Sequence, residues 1–172
     1  LGTAGLAAAH LLRTRFGATS VRLVAVDRSA AALSALAAQV EASPDLAGVD
    51  VAPVVGDLAR LDALPAAATG PFDLIVVSFA LNEAFPPGDD AAPRAWLASL
   101  ATRLAPTGVL LVVEPALHAT ATRLRTLVAP LAEAGTLAVL APDLHGRIAA
   151  PHPDPRFVDH EVRRWALPES VK

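Results

Sequence analysis

The chain has 172 residues, which suits one ordinary domain with a sizeable core, and its 53% hydrophobic content excludes overall disorder. A net charge of -3 excludes a global basic field for nucleic acid, and the lack of cysteine excludes disulfides, thiolate nucleophiles and iron–sulfur clusters. No apolar stretch reaches the roughly 18 residues of a membrane span, so we expect no membrane partner and, by default, a cytoplasmic location.

The first part of the chain alternates between helical and strand patterns. Residues 3–15 carry leucines among alanines and predict a helix. Residues 21–26 form a β-branched run that ends at Asp27 and predict a buried strand. Ser29 is expected to cap a following helix over 30–42.

The same alternation continues to about residue 141. The patterns predict, in chain order, strands at 50–54 and 73–78, a polar loop at 86–93, a helix at 94–104, a turn at 106–108, a strand at 108–115, a helix at 119–132 and a strand at 136–141. This rhythm predicts a mostly parallel, doubly wound α/β sheet of the Rossmann-like type. We expect a cofactor-binding domain over 1–142 and a loop-rich tail over 143–172 that packs on it or extends it.

Two acidic residues follow the first two predicted strands, and they are the main candidates for cofactor binding. In doubly wound folds, ligands bind beyond the carboxyl ends of the strands. Asp27, next to Arg28, is placed to accept hydrogen bonds from a ribose diol, and the less favoured alternative is an ordinary solvated residue at a strand end. Gly56, Asp57 and Leu58 form a Gly-Asp-Leu segment, which predicts contacts with an adenine ring or simply a common turn.

Polar residues also follow the next two predicted strands, on the side where a substrate is expected. Ser78 ends one strand and is a candidate cofactor contact. Asn82 and Glu83 come next and either bind substrate or open a helix. Glu114 ends the next strand and either lines the substrate side or turns the chain.

The opening residues resemble the end of a glycine-rich cofactor loop. Gly2 and Thr3 precede the first helix, and we interpret Gly2 as the last glycine of a G-x-G-x-G loop. On this interpretation the first strand of the sheet and the earlier glycines are expected upstream, and the domain is truncated at its amino end.

Residues of the predicted tail include metal-ligand types and basic groups. The possible ligands follow no strong metal-site template, so a solvated tail is the preferred interpretation and no metal is predicted. These residues are Asp143, His145, His152, Asp159 and His160. Three arginines and a tryptophan either contact RNA or belong to an exposed basic helix end. They are Arg156, Arg163, Arg164 and Trp165.

Several of these segments together resemble one family. The segments are VAVDRS, FDLIVVSFALNE, GVLLVVEPALHATATRLRTL and LAPDLH. They are similar to the methyltransferase-like small-ribosomal-subunit assembly proteins of bacteria and mitochondria, over most of the chain. The resemblance implies a class I methyltransferase fold, S-adenosylmethionine binding and association with the small ribosomal subunit or its rRNA. Carried over by position, it places Gly2, Asp27, Asp57 and Ser78 around the cofactor, with Asn82 and Glu83 near the transfer site.

The chain departs from that family in its tail. Family members carry cysteines in an A-P-C-x-H stretch and in a later W-C-H stretch, where an iron–sulfur cluster can bind. The matching places here read Ala141-Pro142-Asp143-Leu144-His145 and Val158-Asp159-His160, so no such cluster is expected. The predicted function is therefore an S-adenosylmethionine-dependent methyltransferase acting on or with small-subunit rRNA. The alternatives are a non-catalytic assembly factor that keeps the fold and, with less support, a nicotinamide-dependent oxidoreductase.

Overall fold

The computed structural model describes residues 2–141 and 154. The described part is mixed α/β. Its helices and strands are, in chain order, α1 (Thr3–Thr14), β1 (Val21–Asp27), α2 (Ala30–Ala42), β2 (Val49–Val55), β3 (Phe72–Ser78), α3 (Leu81–Ala84), α4 (Ala91–Ala101), β4 (Leu104–Val113) and α5 (His118–Glu133). None of the described helices is long and apolar enough to cross a membrane.

The strands form two parallel pairs. β1 pairs with β2 in unbroken register, from Val21 opposite Val49 to Asp27 opposite Val55. β3 pairs with β4, and Ser78 at the end of β3 lies opposite Val113. The expected parallel pairing is therefore present, as two small sheets in the described part of the chain.

The chain divides into two compact units, residues 1–113 and residues 114–172. The first unit contains both strand pairs. The described part of the second unit contains α5, which buries Leu127 and Leu131. The predicted domain boundary between residues 142 and 143 stays a prediction.

Helices α1 and α2 cover one face of the β1–β2 pair. Their buried leucine, alanine and valine side chains pack against partly buried residues of both strands, because apolar area removed from water stabilises the folded state. The buried residues of this cluster are Leu6, Ala9, Leu36, Val40 and Leu46.

Helix α4 contacts β4 and is also tied to the segment that follows β2. It buries Trp96, Leu97 and Leu100. The indole nitrogen of Trp96 donates a hydrogen bond to the Leu58 carbonyl at 2.6 Å. The guanidinium of Arg103, just after the helix, donates to the carbonyls of Ala68 and Leu61 at 2.8 and 2.9 Å. These bonds join the segment between β2 and β3 to α4 and to the residue that follows it closely.

Most predicted elements are confirmed within a few residues. The first helix, the strand ending at Asp27 and the helix after Ser29 match their predicted bounds most closely. The hydroxyl of Ser29 accepts a hydrogen bond from the Ala32 amide at 3.1 Å, so the predicted cap is confirmed. The helix predicted over 119–132 is α5.

The prediction of the loop over 86–93 and the helix over 94–104 is wrong at its boundaries. α4 begins at Ala91, whose amide donates to the Asp89 side chain at 2.8 Å. Pro93 lies in the first turn, where a helix tolerates proline because the amide there has no helical partner. The helix ends at Ala101, and Leu104 is the first residue of β4.

The turn predicted at Pro106–Gly108 lies inside β4 as an irregularity. The register moves from Phe72 opposite Leu104 to Leu74 opposite Val109, so β4 carries extra residues at this point. A Cβ atom on Gly108 would lie 2.6 Å from the Phe72 carbonyl oxygen. The glycine therefore permits a close backbone approach inside the strand, and β4 ends at Val113, before the predicted limit of 115.

The strand predicted over 136–141 is wrong. The structure has no strand there, and the Leu140 side chain is 64% exposed. An apolar, partly β-branched run forms a strand only when a neighbouring edge supplies hydrogen-bond partners, which local sequence does not reveal.

Candidate functional site

Asp27 occupies the carboxyl end of β1. Its Oδ1 atom accepts a hydrogen bond from the Ser29 amide at 2.7 Å, and its backbone carbonyl accepts one from the Gly56 amide at 3.0 Å. Because β1 and β2 are parallel, the residues after β2 emerge at the same edge as Asp27. The two predicted acids, Asp27 and Asp57, therefore lie at one edge of one sheet.

Asp57 is held by two donors. Its Oδ1 atom accepts hydrogen bonds from the Ala59 amide at 2.9 Å and from the Arg28 guanidinium at 3.0 Å. The Ala59 bond first, and then the Arg28 bond, hold the pKa of the Asp57 carboxyl below its ordinary value of 3.8, against a smaller opposing effect of desolvation. Asp57 is therefore an anion at neutral pH, and Arg28 lies against it.

The segment around Asp57 is fixed from both sides. Gly56 lies close to Leu64, since a Cβ atom at this glycine would come within 2.5 Å of the Leu64 Cδ2 atom. Leu58 is half-buried, and its carbonyl accepts the hydrogen bond from the indole of Trp96. The predicted Gly-Asp-Leu segment is thus anchored at its central acid and at its third residue.

Gly2 and Thr3 lie at the start of α1. Gly2 precedes the helix with φ of 63°, in the left-handed region that glycine adopts without strain. A Cβ atom there would lie 2.8 Å from the Leu36 Cδ1 atom of α2. No acidic side chain stands in the first turn of α1, where the helix dipole favours an anion.

The remaining candidates are Ser78, predicted to contact the cofactor, and the three substrate-side residues Asn82, Glu83 and Glu114. Ser78 is the last residue of β3 and is half-buried. Asn82 and Glu83 lie in the short helix α3, which agrees with the prediction that they open a helix. Glu114 belongs to the second unit.

The structure brings together the candidates at the ends of β1 and β2 by direct contacts. Asp27, Arg28, Gly56 and Asp57 are joined by the Asp27–Gly56 backbone bond and the Arg28–Asp57 ion pair. Ser78, Asn82 and Glu83 are neighbours along the chain at the end of β3 and share none of these contacts.

Two features of the site escaped the sequence analysis. The first is the Arg28–Asp57 ion pair, for which the only signal is opposite charge after neighbouring strands. The second is the hydrogen bond of Trp96 to the Leu58 carbonyl, since Trp96 lies in the helix predicted over 94–104 and no polar contact was predicted for it. A buried indole N–H needs an acceptor, and that requirement is the signal that could have pointed to a polar contact.

The described residues contain no group of three or more His, Asp or Glu side chains that could hold a metal ion. The predicted tail candidates fall outside the described residues. They are Asp143, His145, His152, Arg156, Asp159, His160, Arg163, Arg164 and Trp165.

An open depression of about 290 Å³ lies between the end of α2 and the start of β2, lined by residues 40–44 and 46–49. It is at the amino end of β2, whereas Asp57 follows the carboxyl end. The depression is therefore separate from the carboxyl edge of β1 and β2 that carries Asp27 and Asp57, which we call the acidic edge.

Comparison with known proteins yields no matching family model, no matching curated protein and no matching solved structure.

Proposed function

We propose that the chain is a class I methyltransferase-like domain that binds S-adenosylmethionine at the carboxyl edge of β1 and β2. The observation that carries the proposal is the position of Asp27 and Asp57 at one edge of a parallel strand pair. Carboxyl ends of parallel strands are where doubly wound sheets bind nucleotides.

The two carboxylates suit the two ends of an adenosine. Each uses its Oδ1 atom for a backbone amide of its own loop, which orients the carboxylate and leaves Oδ2 to accept a further hydrogen bond. A ribose diol donates to Asp27, and the exocyclic amino group of adenine donates to Asp57. Half-buried Leu58 supplies apolar contact for the adenine ring.

The preference for S-adenosylmethionine over a nicotinamide dinucleotide rests on the resemblance of the segments around Asp27 and Ser78 to the methyltransferase-like family. The local charge does not decide between the two cofactors, because Arg28 and Arg60 both act on Asp57 and offset the two carboxylates. The oxidoreductase is kept as the weaker alternative.

The finer fold assignment belongs to the same proposal. In a Rossmann-like sheet, β1 and β3 would flank one further parallel strand. Both strands carry apolar residues on both faces, a pattern typical of strands inside a parallel sheet, while each pairs along one edge in the described residues.

When bound, S-adenosylmethionine supplies an activated methyl group, so the protein's task is positioning. Asp27 and Asp57 would hold the adenosine, and the start of α1 at Thr3 would face the ligand's carboxylate. Ser78 would lie beside the cofactor, and Asn82 and Glu83 would contact the acceptor at the end of β3. Support for an acceptor in small-subunit rRNA is the resemblance of the SFALNE and VEPALHATATRLRTL segments to ribosome-assembly proteins.

Calorimetric titration with S-adenosylmethionine tests the cofactor assignment. Asp27→Ala is expected to weaken binding roughly ten-fold or more, because a hydrogen bond to a charged group contributes about 1.5–3 kcal/mol. Asp50→Ala removes an exposed acid near the amino end of β2 and is expected to leave binding unchanged. Tight binding of NADH, with none of S-adenosylmethionine, would favour the oxidoreductase.

Incubation with 30S-subunit RNA and labelled cofactor separates the enzyme from the assembly factor. An enzyme transfers label to the RNA, and Asp27→Ala abolishes the transfer. Binding to 30S particles without transfer would instead favour the non-catalytic factor. If the protein neither transfers label to the RNA nor binds to 30S particles, the ribosomal part of the proposal is contradicted.

A further inference from the structure

Phe79 has an unusual backbone conformation directly after β3. Its φ is 55°, and among the described residues it is the only one other than glycine with positive φ. This left-handed region is unfavourable for a bulky side chain, and glycine adopts it far more readily. A phenylalanine at this position therefore works against the stability of the turn.

The backbone contacts of the turn explain how the conformation is held. The Phe79 amide donates a hydrogen bond to the Val113 carbonyl of β4 at 2.8 Å, which extends the β3–β4 pairing by one residue. Two residues later, Leu81 begins α3 and is almost completely buried. Neither contact uses the aromatic ring.

The ring itself adds little to the core, because the Phe79 side chain is 53% exposed. Phe85 shows the contrasting case, since it is half-buried and lies 5.5 Å from the Trp96 ring between centroids. Phe16 is also exposed, at 75%, but its backbone has no positive φ. Among the phenylalanines that the structure describes, Phe79 alone combines an exposed position with an unfavourable backbone, and such backbones cluster at binding sites.

We propose that Phe79 is a binding residue whose ring stacks on a nucleobase. The ring stands at the carboxyl end of a parallel strand, where α/β sheets bind their ligands. Exposed aromatic rings bind bases of any sequence by stacking.

The surrounding residues favour a base over a phosphate group. Ser78 and Asn82, close by in the chain, are neutral polar residues of the kind that recognise base edges. Glu83 in α3 is acidic and disfavours a phosphate. The inference deepens the acceptor side of the proposed function and rests on its placement of the acceptor at the end of β3, but it is independent of the cofactor assignment at the ends of β1 and β2.

The test uses Phe79→Gly, which keeps the left-handed backbone and removes the ring. Phe79→Trp keeps an aromatic face, and Phe16→Leu is the matched control because it replaces another exposed phenylalanine. Each variant is titrated with adenosine and with a short, fluorescently labelled single-stranded RNA, and its thermal midpoint is measured. The adenosine titrations are repeated in the Asp27→Ala background, which weakens adenosine binding at the ends of β1 and β2. The two ligands distinguish a free nucleoside from a base within a nucleic acid.

Phe79→Gly is expected to weaken binding of at least one ligand about five-fold or more, with an unchanged or raised thermal midpoint, because stacking contributes at this scale for each base. Phe79→Trp is expected to retain binding, and Phe16→Leu to change nothing. The inference is overturned if the unmutated protein binds neither ligand, or if Phe79→Gly leaves both affinities unchanged. Since Asp27→Ala tests S-adenosylmethionine binding separately, a failure of either proposal is distinguishable from a failure of the other.

Discussion

The two parallel strand pairs of the first unit differ in regularity and in how helices cover them. β1 and β2 pair through seven residues without interruption, and the side chains of α1 and α2 pack on one face. β4 carries extra residues opposite β3, and its Val109, Leu111 and Val113 side chains are 40%, 46% and 39% exposed. Similar apolar strands thus reach different degrees of burial, because the neighbouring helices decide which face is covered.

The same comparison separates the two candidate sites. At the end of β1 and β2, charged side chains are held by hydrogen bonds to their own loops and by one ion pair. At the end of β3, the notable feature is an exposed ring on an unfavourable backbone. The regular pair therefore presents a preorganised acidic edge, and the irregular pair presents an aromatic surface.

The largest expected effect contrasts two leucines of the β3–β4 region. Leu97 in α4 is fully buried, so Leu97→Ala is expected to lower the free energy of unfolding by about 2–5 kcal/mol. Leu111 in β4 is 46% exposed, so Leu111→Ala is expected to change it by less than about 1 kcal/mol. Urea denaturation measures both. Equal losses would mean that the exposed face of β4 is buried in solution.

An intermediate effect contrasts two glycines, one in each region. Gly108→Ala places a Cβ atom 2.6 Å from the Phe72 carbonyl oxygen and is expected to destabilise the protein by about 1–3 kcal/mol. Gly5→Ala lies inside α1, where the new Cβ meets the Leu23 Cδ1 atom at an ordinary 3.4 Å. It is expected to stabilise by about 0.5–1 kcal/mol, since alanine favours helix more than glycine does. If the denaturation midpoints of both variants shift in the same direction from that of the unmutated protein, the irregular pairing of β4 is contradicted.

The smallest expected effect is the loss of folding stability at acid pH that Asp57 causes. Its pKa is lower in the folded protein than the ordinary 3.8, so its contribution to stability is present above that value and is lost as the pH falls through the lower folded pKa. Asp57→Asn is expected to flatten the acid side of the stability–pH profile. Arg28→Ala should remove only part of this dependence, because the Ala59 amide remains. Thermal midpoints measured across the acid range check both, and an unchanged acid limb in Asp57→Asn would show that the carboxylate is not held as described.

Local sequence was enough to predict much of the fold. The β-branched run ending at Asp27 and the hydroxyl of Ser29 act on residues within one or two turns, so their effects can be predicted without knowing the rest of the chain. The segment over 136–141 shows the limit, since a strand depends on an edge contributed from elsewhere. The irregularity at Gly108 also depends on a distant partner, Phe72.

For the candidate site, the amino-acid pattern already shows which acids follow which strands, because strand periodicity places Asp27 and the residues after β2 at strand ends. The packing of the folded chain makes β1 and β2 parallel neighbours, places Arg28 against Asp57 and lets the Trp96 indole donate to the Leu58 carbonyl. These contacts join residues that are far apart along the chain. Hydrogen bonds between residues 29 or 38 positions apart depend on how helices and strands pack, and local propensities do not contain that information.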